Sequence, residues 1–352
     1  MVTETAPRTE IDPVKARESL NGLLGIFGRL YMHFANSVLE TSGQYGEMTV
    51  RTHLRQFGHF RGTEMREAHH AMGKTIDMQS LTCFWDNAST YIIEDDMEAG
   101  TYSPHDSVFD VHFCPASIAW KNAGFHRWGH AYCDEFHQAC ASTYHPDGNV
   151  VIPINMMKGD DHCAFRWIMP ANARQLDLGE PTELGRKLAA TYEQTTPEQG
   201  AVNVMRRTLR LVGGCYLTIV NPLRERHSAA EADQILRDTL TVWARERGEL
   251  MRADHQKRGI AVTAANLVRE MDFCAGYIWD MTDEIADDGT YIAVVRDTQL
   301  DEVWADYNLG PEAALFWEIT LPALAEGYDP GLRVEIPCLR QRGDDVMEIR
   351  VS

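Results

Sequence analysis

The chain has 352 residues, of which 44% are hydrophobic and 24% charged, with a formal net charge of -19. That length suits two ordinary domains or one large one. The acidic balance excludes a global positive field for nucleic acid or an anionic membrane surface. No apolar run is long enough to span a bilayer.

The opening stretch MVTETAPRTEIDP lacks the basic and apolar regions of a signal peptide and reads as a frayed tail. A cytoplasmic protein with a small-molecule partner is expected, with no nucleic acid and no membrane. The 8 cysteines form no CxxC pair. Without a secretory signal they are not read as a disulfide framework. Most are expected to be small buried residues.

In chain order, an apolar-periodic helix covers 19–39, and a second helix carries RGTEMREAHHAMG (61–73). A β-rich run follows at 88–97, then the extended run VFDVHF (108–113). Helices are expected at about 114–123 and 129–142. A hairpin closes the unit, with VVIPINMM and HCAFRWIM joined by KGDD, since Gly with Asp between extended runs marks a turn. After a linker and joining helix (171–199) the same plan returns. A helix at 201–220 precedes RGELMRADHQKRG (247–259) and the strand GTYIAVVRD (289–297). Helices at 298–307 and 311–326 lead to the hairpin RVEIPCLRQ, RGDD, VMEIRV.

The return is an internal repeat. Arg61, Gly62, Met65, Arg66, His69 and Gly73 recur as Arg247, Gly248, Met251, Arg252, His255 and Gly259. Tyr144, Pro146 and Gly159-Asp160-Asp161 recur as Tyr328, Pro330 and Gly343-Asp344-Asp345, and Trp120 as Trp304. The fold class is therefore α+β. Two tandem homologous units are expected, each with helices and an antiparallel sheet ending in a hairpin. Residues 15–170 are the cysteine- and histidine-rich catalytic unit, and 200–352 a degenerate structural or lid unit. The recurrence of His69 and of the Asp160-Asp161 turn marks these as fold-supporting. Apolar helix faces such as FGRLYMHF serve either a homo-oligomer or the seam between the copies.

Reactive groups present in one copy only are the better functional candidates. Cys114 faces Thr298, His130 faces Ala314, Cys133 faces Trp317, His137 faces Leu321 and Cys163 faces Met347. On a helix at 129–142, His130, Cys133, Asp134 and His137 share one stripe by their spacing, with His126 placed outside the helix. Cys114 precedes Pro115, a residue suited to a first helical turn, so its thiol feels a helix N-terminus, which favours thiolate. Strand alternation sets Cys163, Phe165 and Trp167 on one face and His162 and Arg166 on the other.

At Cys114-Pro115, at Cys133-Asp134 and at the segment GDDHCAF (159–165), the sequence resembles the L-2-amino-thiazoline-4-carboxylic acid hydrolase family. A weaker likeness reaches the 4-vinyl reductase ligand-binding domain, through the hairpin. The main resemblance implies opening of a cyclic amidine-like ring. It carries Cys114, Cys133 and Cys163 over as site positions, and after them Asp134.

Two mechanisms are open. In one, Cys114 and Cys133 with His137 or Cys163 bind zinc or iron, which activates a water, and Asp134 orients a ligand or takes the proton. In the other, a cysteine attacks the carbon between two heteroatoms, and His130 or His137 moves the proton. Cys114, His130 and Asp134 are the catalytic candidates, and Arg127 and Arg166 candidates to hold a carboxylate. The expected function is hydrolysis of a C–N or C=N bond in a small, heterocyclic amidine or amide-like substrate. The alternatives are a non-enzymatic small-molecule or metal-binding protein and a metal-dependent redox or isomerising enzyme. No G-x-G-x-x-G, Walker loop, H-E-x-x-H or G-x-S-x-G occurs to support nucleotide, zincin or serine-hydrolase chemistry.

Overall fold

The computed structural model describes residues 13–87 and 97–352. The chain divides into two compact units, one of residues 12–226 and one that holds 227–352. The first contains α1 (Pro13–Thr41), α2 (Gln44–Ala71), α3 (Met78–Cys83), β1 (Met97–Ala99), β2 (Asp106–Val111), α4 (Pro115–Asn122) and α5 (His126–Tyr144). It continues with β3 (Asn149–Ile154), a 3₁₀ turn (Met156–Lys158), β4 (Cys163–Ile168), α6 (Glu183–Ala190) and α7 (Pro197–Arg226). The second contains α8 (Ala229–Arg258), α9 (Ala264–Arg269), α10 (Ala275–Ile278), β5 (Asp280–Ile285), β6 (Tyr291–Asp297) and α11 (Leu300–Asp306). It ends with α12 (Pro311–Tyr328), β7 (Val334–Cys338), a 3₁₀ turn (Arg340–Arg342) and β8 (Met347–Val351). Most of the β-rich run expected at 88–97 lies outside the described residues. Among the described residues no helix is long and apolar enough to cross a membrane.

Each unit has one antiparallel sheet, in the order β1-β2-β4-β3 in the first and β5-β6-β8-β7 in the second. The architecture is α+β with the same strand order twice, as the repeat predicts. The hairpin strands are joined through a 3₁₀ turn rather than a two-residue turn. It closes on Gly159 (φ 104°) and Gly343 (φ 99°), a left-handed backbone that side chains with a Cβ resist. Asp160 Oδ2 accepts from Asn155 N at 2.7 Å, and Asp344 Oδ2 from Leu339 N at 2.7 Å.

Other recurring residues also do one job twice. His69 Nε2–H donates to Phe84 O at 2.9 Å, so its Nδ1 accepts from the Tyr144 hydroxyl at 2.8 Å. His255 and Tyr328 make the same contact at 2.7 Å. Arg61 grips Asp86 with two nitrogens, and Arg247 grips Asp272. One boundary differs from the repeat. By order, α7 is the second copy's first helix, yet it packs against α1 and α2 within the unit 12–226. Phe27, Leu30, Tyr31 and Phe34 of FGRLYMHF are buried in that unit.

The first core lies between the helices and the inner sheet face, where Met65, Met78, Tyr144, Val150, Phe165 and Trp167 meet. The helix pair α2 and α5 approaches closely because α2 presents Gly58 and Gly62. A Cβ on Gly62 would lie 2.5 Å from Cys140 O, and one on Gly58 would overlap Phe136 O. Alanine is the better helix former by about 1 kcal/mol, but a backbone carbonyl cannot step aside. Gly62→Ala is expected to destabilise the protein by about 1–3 kcal/mol net, read as a lower urea midpoint. A raised midpoint would show that the helices separate at little cost.

Candidate active site

Three elements bring the expected cysteines to one end of the first sheet. Cys114 caps α4 in extended conformation (φ -130°), and its Sγ accepts from Ser117 N at 3.5 Å. Pro115 opens the helix, as expected. The equivalent Thr298 Oγ1 accepts from Asp301 N at 3.4 Å. Each unit thus has a side-chain acceptor for a backbone N–H at the start of this helix, a thiol in one and a hydroxyl in the other. Cys163 lies on the inner face of β4 with Phe165 and Trp167, and its Sγ accepts from Met156 N at 3.3 Å. Burial pushes the Cys163 thiol up to about 11, against the pull of that N–H.

Helix α5 begins at His126, one turn before the expected start, so His126 is inside it. The expected stripe divides. Cys133 and His137 turn into the core, Asp134 is exposed and His130 is half-buried. His130 Nε2 stands 3.2 Å from Asp134 Oδ2, in an approach too bent for a hydrogen bond. His137 Nδ1–H donates to Cys133 O at 2.8 Å. Its ring meets Phe136 and Phe165 edge-on at 4.9 and 5.0 Å. Burial lowers its pKa to about 3, which makes it a neutral core imidazole and a poor base at neutral pH.

A pocket of about 250 Å³ opens over this end of α5, lined by Cys133, Asp134 and Gln138 and by Val150 to Pro153 of β3. Its volume accepts one small molecule. Burial raises the Cys133 thiol well above its ordinary value, and the neighbouring Cys114 and Cys163 thiols add to the rise. The resting group is therefore a thiol. The Asn155 side chain beside it acts in the opposite direction.

The expected metal set does not form. Among the described residues no three Cys, His, Asp or Glu side chains stand closely enough to hold a metal ion. Cys114 and Cys163 each accept from a backbone N–H, and His137 spends Nδ1 on its own helix. Cys114, Cys133, His137 and Cys163 as arranged do not fit a resident zinc or iron. Arg127 and Arg166 are also engaged elsewhere. Arg127 pairs with Glu47 at 3.0 Å, and Arg166 takes both oxygens of Asp106, with a closest approach of 2.6 Å.

In the second unit the same place is filled. Trp317, at the position of Cys133, is fully buried, and its Nε1 donates to Asp301 Oδ1 at 3.1 Å. Leu321, Leu339 and Met347 replace His137, Asn155 and Cys163. Asn155 is the residue that attention to cysteines, histidines and acids misses. Its exchange for Leu339 in the ungapped hairpin is the signal that could have found it.

Residues 25–167 match the model of a family described as L-2-amino-thiazoline-4-carboxylic acid hydrolase. Within the first unit, the chain is similar to that family over those residues. The matched segment includes Cys114, Cys133, Asp134 and Cys163, and it ends on β4. No curated protein and no solved structure matches the chain.

Proposed function

We propose that the first unit hydrolyses a C–N or C=N bond in a small, heterocyclic amidine or amide-like substrate, with Cys133 as nucleophile. The observation that carries this reading is one pocket lined by both Cys133 and the Asp134 carboxylate, inside a segment that matches a hydrolase family. A buried thiol needs a reason to ionise. An amidinium bound beside Cys133 and Asp134 supplies one, because a neighbouring positive charge favours thiolate. The substrate then activates its own nucleophile.

The Cys133 proton passes to Asp134, directly or through one water. Cys133 Sγ bonds to the carbon between the two heteroatoms, and the C=N electron pair moves onto nitrogen. Collapse expels one heteroatom, which takes the proton from Asp134. Water adds to the enzyme-bound carbon and releases the Cys133 thiol, so one water is consumed overall. His130 flanks Asp134 on the same helix face, with Nε2 3.2 Å from Oδ2.

The test is turnover of a panel of 2-amino-thiazolines, other five-membered cyclic amidines and open-chain amides, followed by mass spectrometry. Cyclic amidines are expected to gain the mass of one water. Saturable binding of the panel without turnover would instead favour a binding protein and overturn the hydrolase reading.

A further inference from the structure

Asn155 sits where β3 runs into the 3₁₀ turn, and it is fully buried. Its polar groups are fixed one by one. Its backbone N–H donates to Asp160 Oδ2 at 2.7 Å, and its Oδ1 accepts from Met157 N at 2.8 Å. That second bond decides the amide orientation, because only the oxygen can face an N–H. Nδ2 therefore points the other way. It is buried and has no hydrogen-bond partner.

A buried N–H group left unmatched costs about 1–3 kcal/mol, and apolar residues fill such places without that cost. The second unit shows this: Leu339 takes the position, and the turn keeps its bond to Asp344. The turn packs against α5, and the side chain beside Asn155 there is Cys133. Where Asn155 becomes Leu339, Cys133 becomes Trp317. The unmatched donor and the pocket thiol are present together and absent together within this one chain.

We propose that Asn155 is a positioning residue for Cys133: its Nδ2 donates to Sγ when the thiol gives up its proton, holding the thiolate toward the pocket. The neutral thiol is a weak acceptor, so the bond is poor in the resting state and strong once charge appears on sulfur. The turn supplies rigidity, since Oδ1 and the backbone N–H are already engaged. No further reactant is needed, because the proton leaves to Asp134 and passes on to the expelled heteroatom, and the water consumed in the reaction returns one to the thiol. The inference rests on Cys133 as the nucleophile, but it is tested without any substrate.

The experiment measures alkylation of Cys133 by iodoacetamide against pH, resolved by mass spectrometry of the Cys133 peptide in the full-length chain. Exposed Cys83 serves as the internal standard. Wild type is compared with Asn155→Leu, the side chain this turn already carries in the second unit. It is also compared with Asn155→Asp, which keeps the acceptor for Met157 N and removes the donor. Both variants are expected to move the Cys133 profile to higher pH and to slow alkylation about tenfold at pH 8, with Cys83 unchanged. If either folded variant alkylates Cys133 with the wild-type profile, the positioning role is overturned. A shifted profile with no turnover of any amidine by wild type would sustain the Asn155–Cys133 pairing and sink the hydrolase reading alone.

Discussion

Cys133→Ala is expected to lower hydrolysis of a cyclic amidine by about 10⁴-fold or more, the scale on which removal of a nucleophile acts. The fold should persist, since the change removes one sulfur from a buried helix position, at about 1 kcal/mol. Cys133→Ser should be nearly as inactive, because a buried hydroxyl gives up its proton far less readily than a thiol. Cys114→Ser should behave differently. A hydroxyl, that of Thr298, already accepts from a backbone N–H at the start of the equivalent helix, so the variant keeps α4 and most of the rate. A chelator should leave the wild-type rate unchanged, since Cys114 and Cys163 each accept from a backbone N–H and the proposed route uses no metal. Full activity in a folded Cys133→Ala protein would remove the nucleophile from the mechanism. An inactive Cys114→Ser protein with intact Cys133 alkylation would transfer the chemistry to Cys114.

The repeat was legible because its shared residues have positional duties that few side chains can perform. Gly62 and Gly248 admit a neighbouring helix backbone, His69 and His255 take a tyrosine hydroxyl, and Asp160 and Asp344 close the same turn. The Cys114 cap was equally readable from the Cys-Pro step. The α5 stripe was half readable. Spacing puts His130, Cys133, Asp134 and His137 on one side of a helix, but that side straddles the edge of the core. Which half turns inward depends on how α2 and the sheet approach. Strand β5 was hidden because DMTDEI places a carboxylate inside. Asp283 is buried only because Arg269 and the Tyr291 hydroxyl meet it. Asn155 escaped for a related reason. A single amide acquires its meaning from burial and from which of its two ends is already engaged. The packing of α7 on α1 follows from tertiary contacts that no repeat boundary encodes.

Lowering the pH from 7 to 5 is expected to remove about 6 kcal/mol of stability from the unit 12–226. Three of the buried histidines there are held neutral by their burial. Burial holds His53 and His137 at about 3 and His69 at about 4, so all three stay neutral in the fold. In the unfolded chain each binds a proton below about 6.5. The unfolded state therefore holds more protons between those values. Stability is full above pH 6.5 and is lost as pH falls toward 4, at about 2 kcal/mol for each histidine by pH 5. Against an ordinary domain stability of about 5–15 kcal/mol this is a large share. Raised His162 works in the opposite sense, but it lies at the surface beside Asp161. The lowered carboxylates Asp106 and Asp147 act only at still lower pH. The measurement is the urea midpoint at pH 7 and pH 5, with His53→Phe beside wild type. The His53 ring stacks on Tyr31 and Phe57, at 5.6 and 6.1 Å, so a phenyl ring suits the place. It gives up the contact with the Thr218 hydroxyl, at 3.2 Å. The variant should be weaker at pH 7 by about 1 kcal/mol, yet lose only about two-thirds as much on acidification. Equal losses in the two proteins would mean that His53 takes up its proton without unfolding, and that the core at Tyr31 and Phe57 admits water.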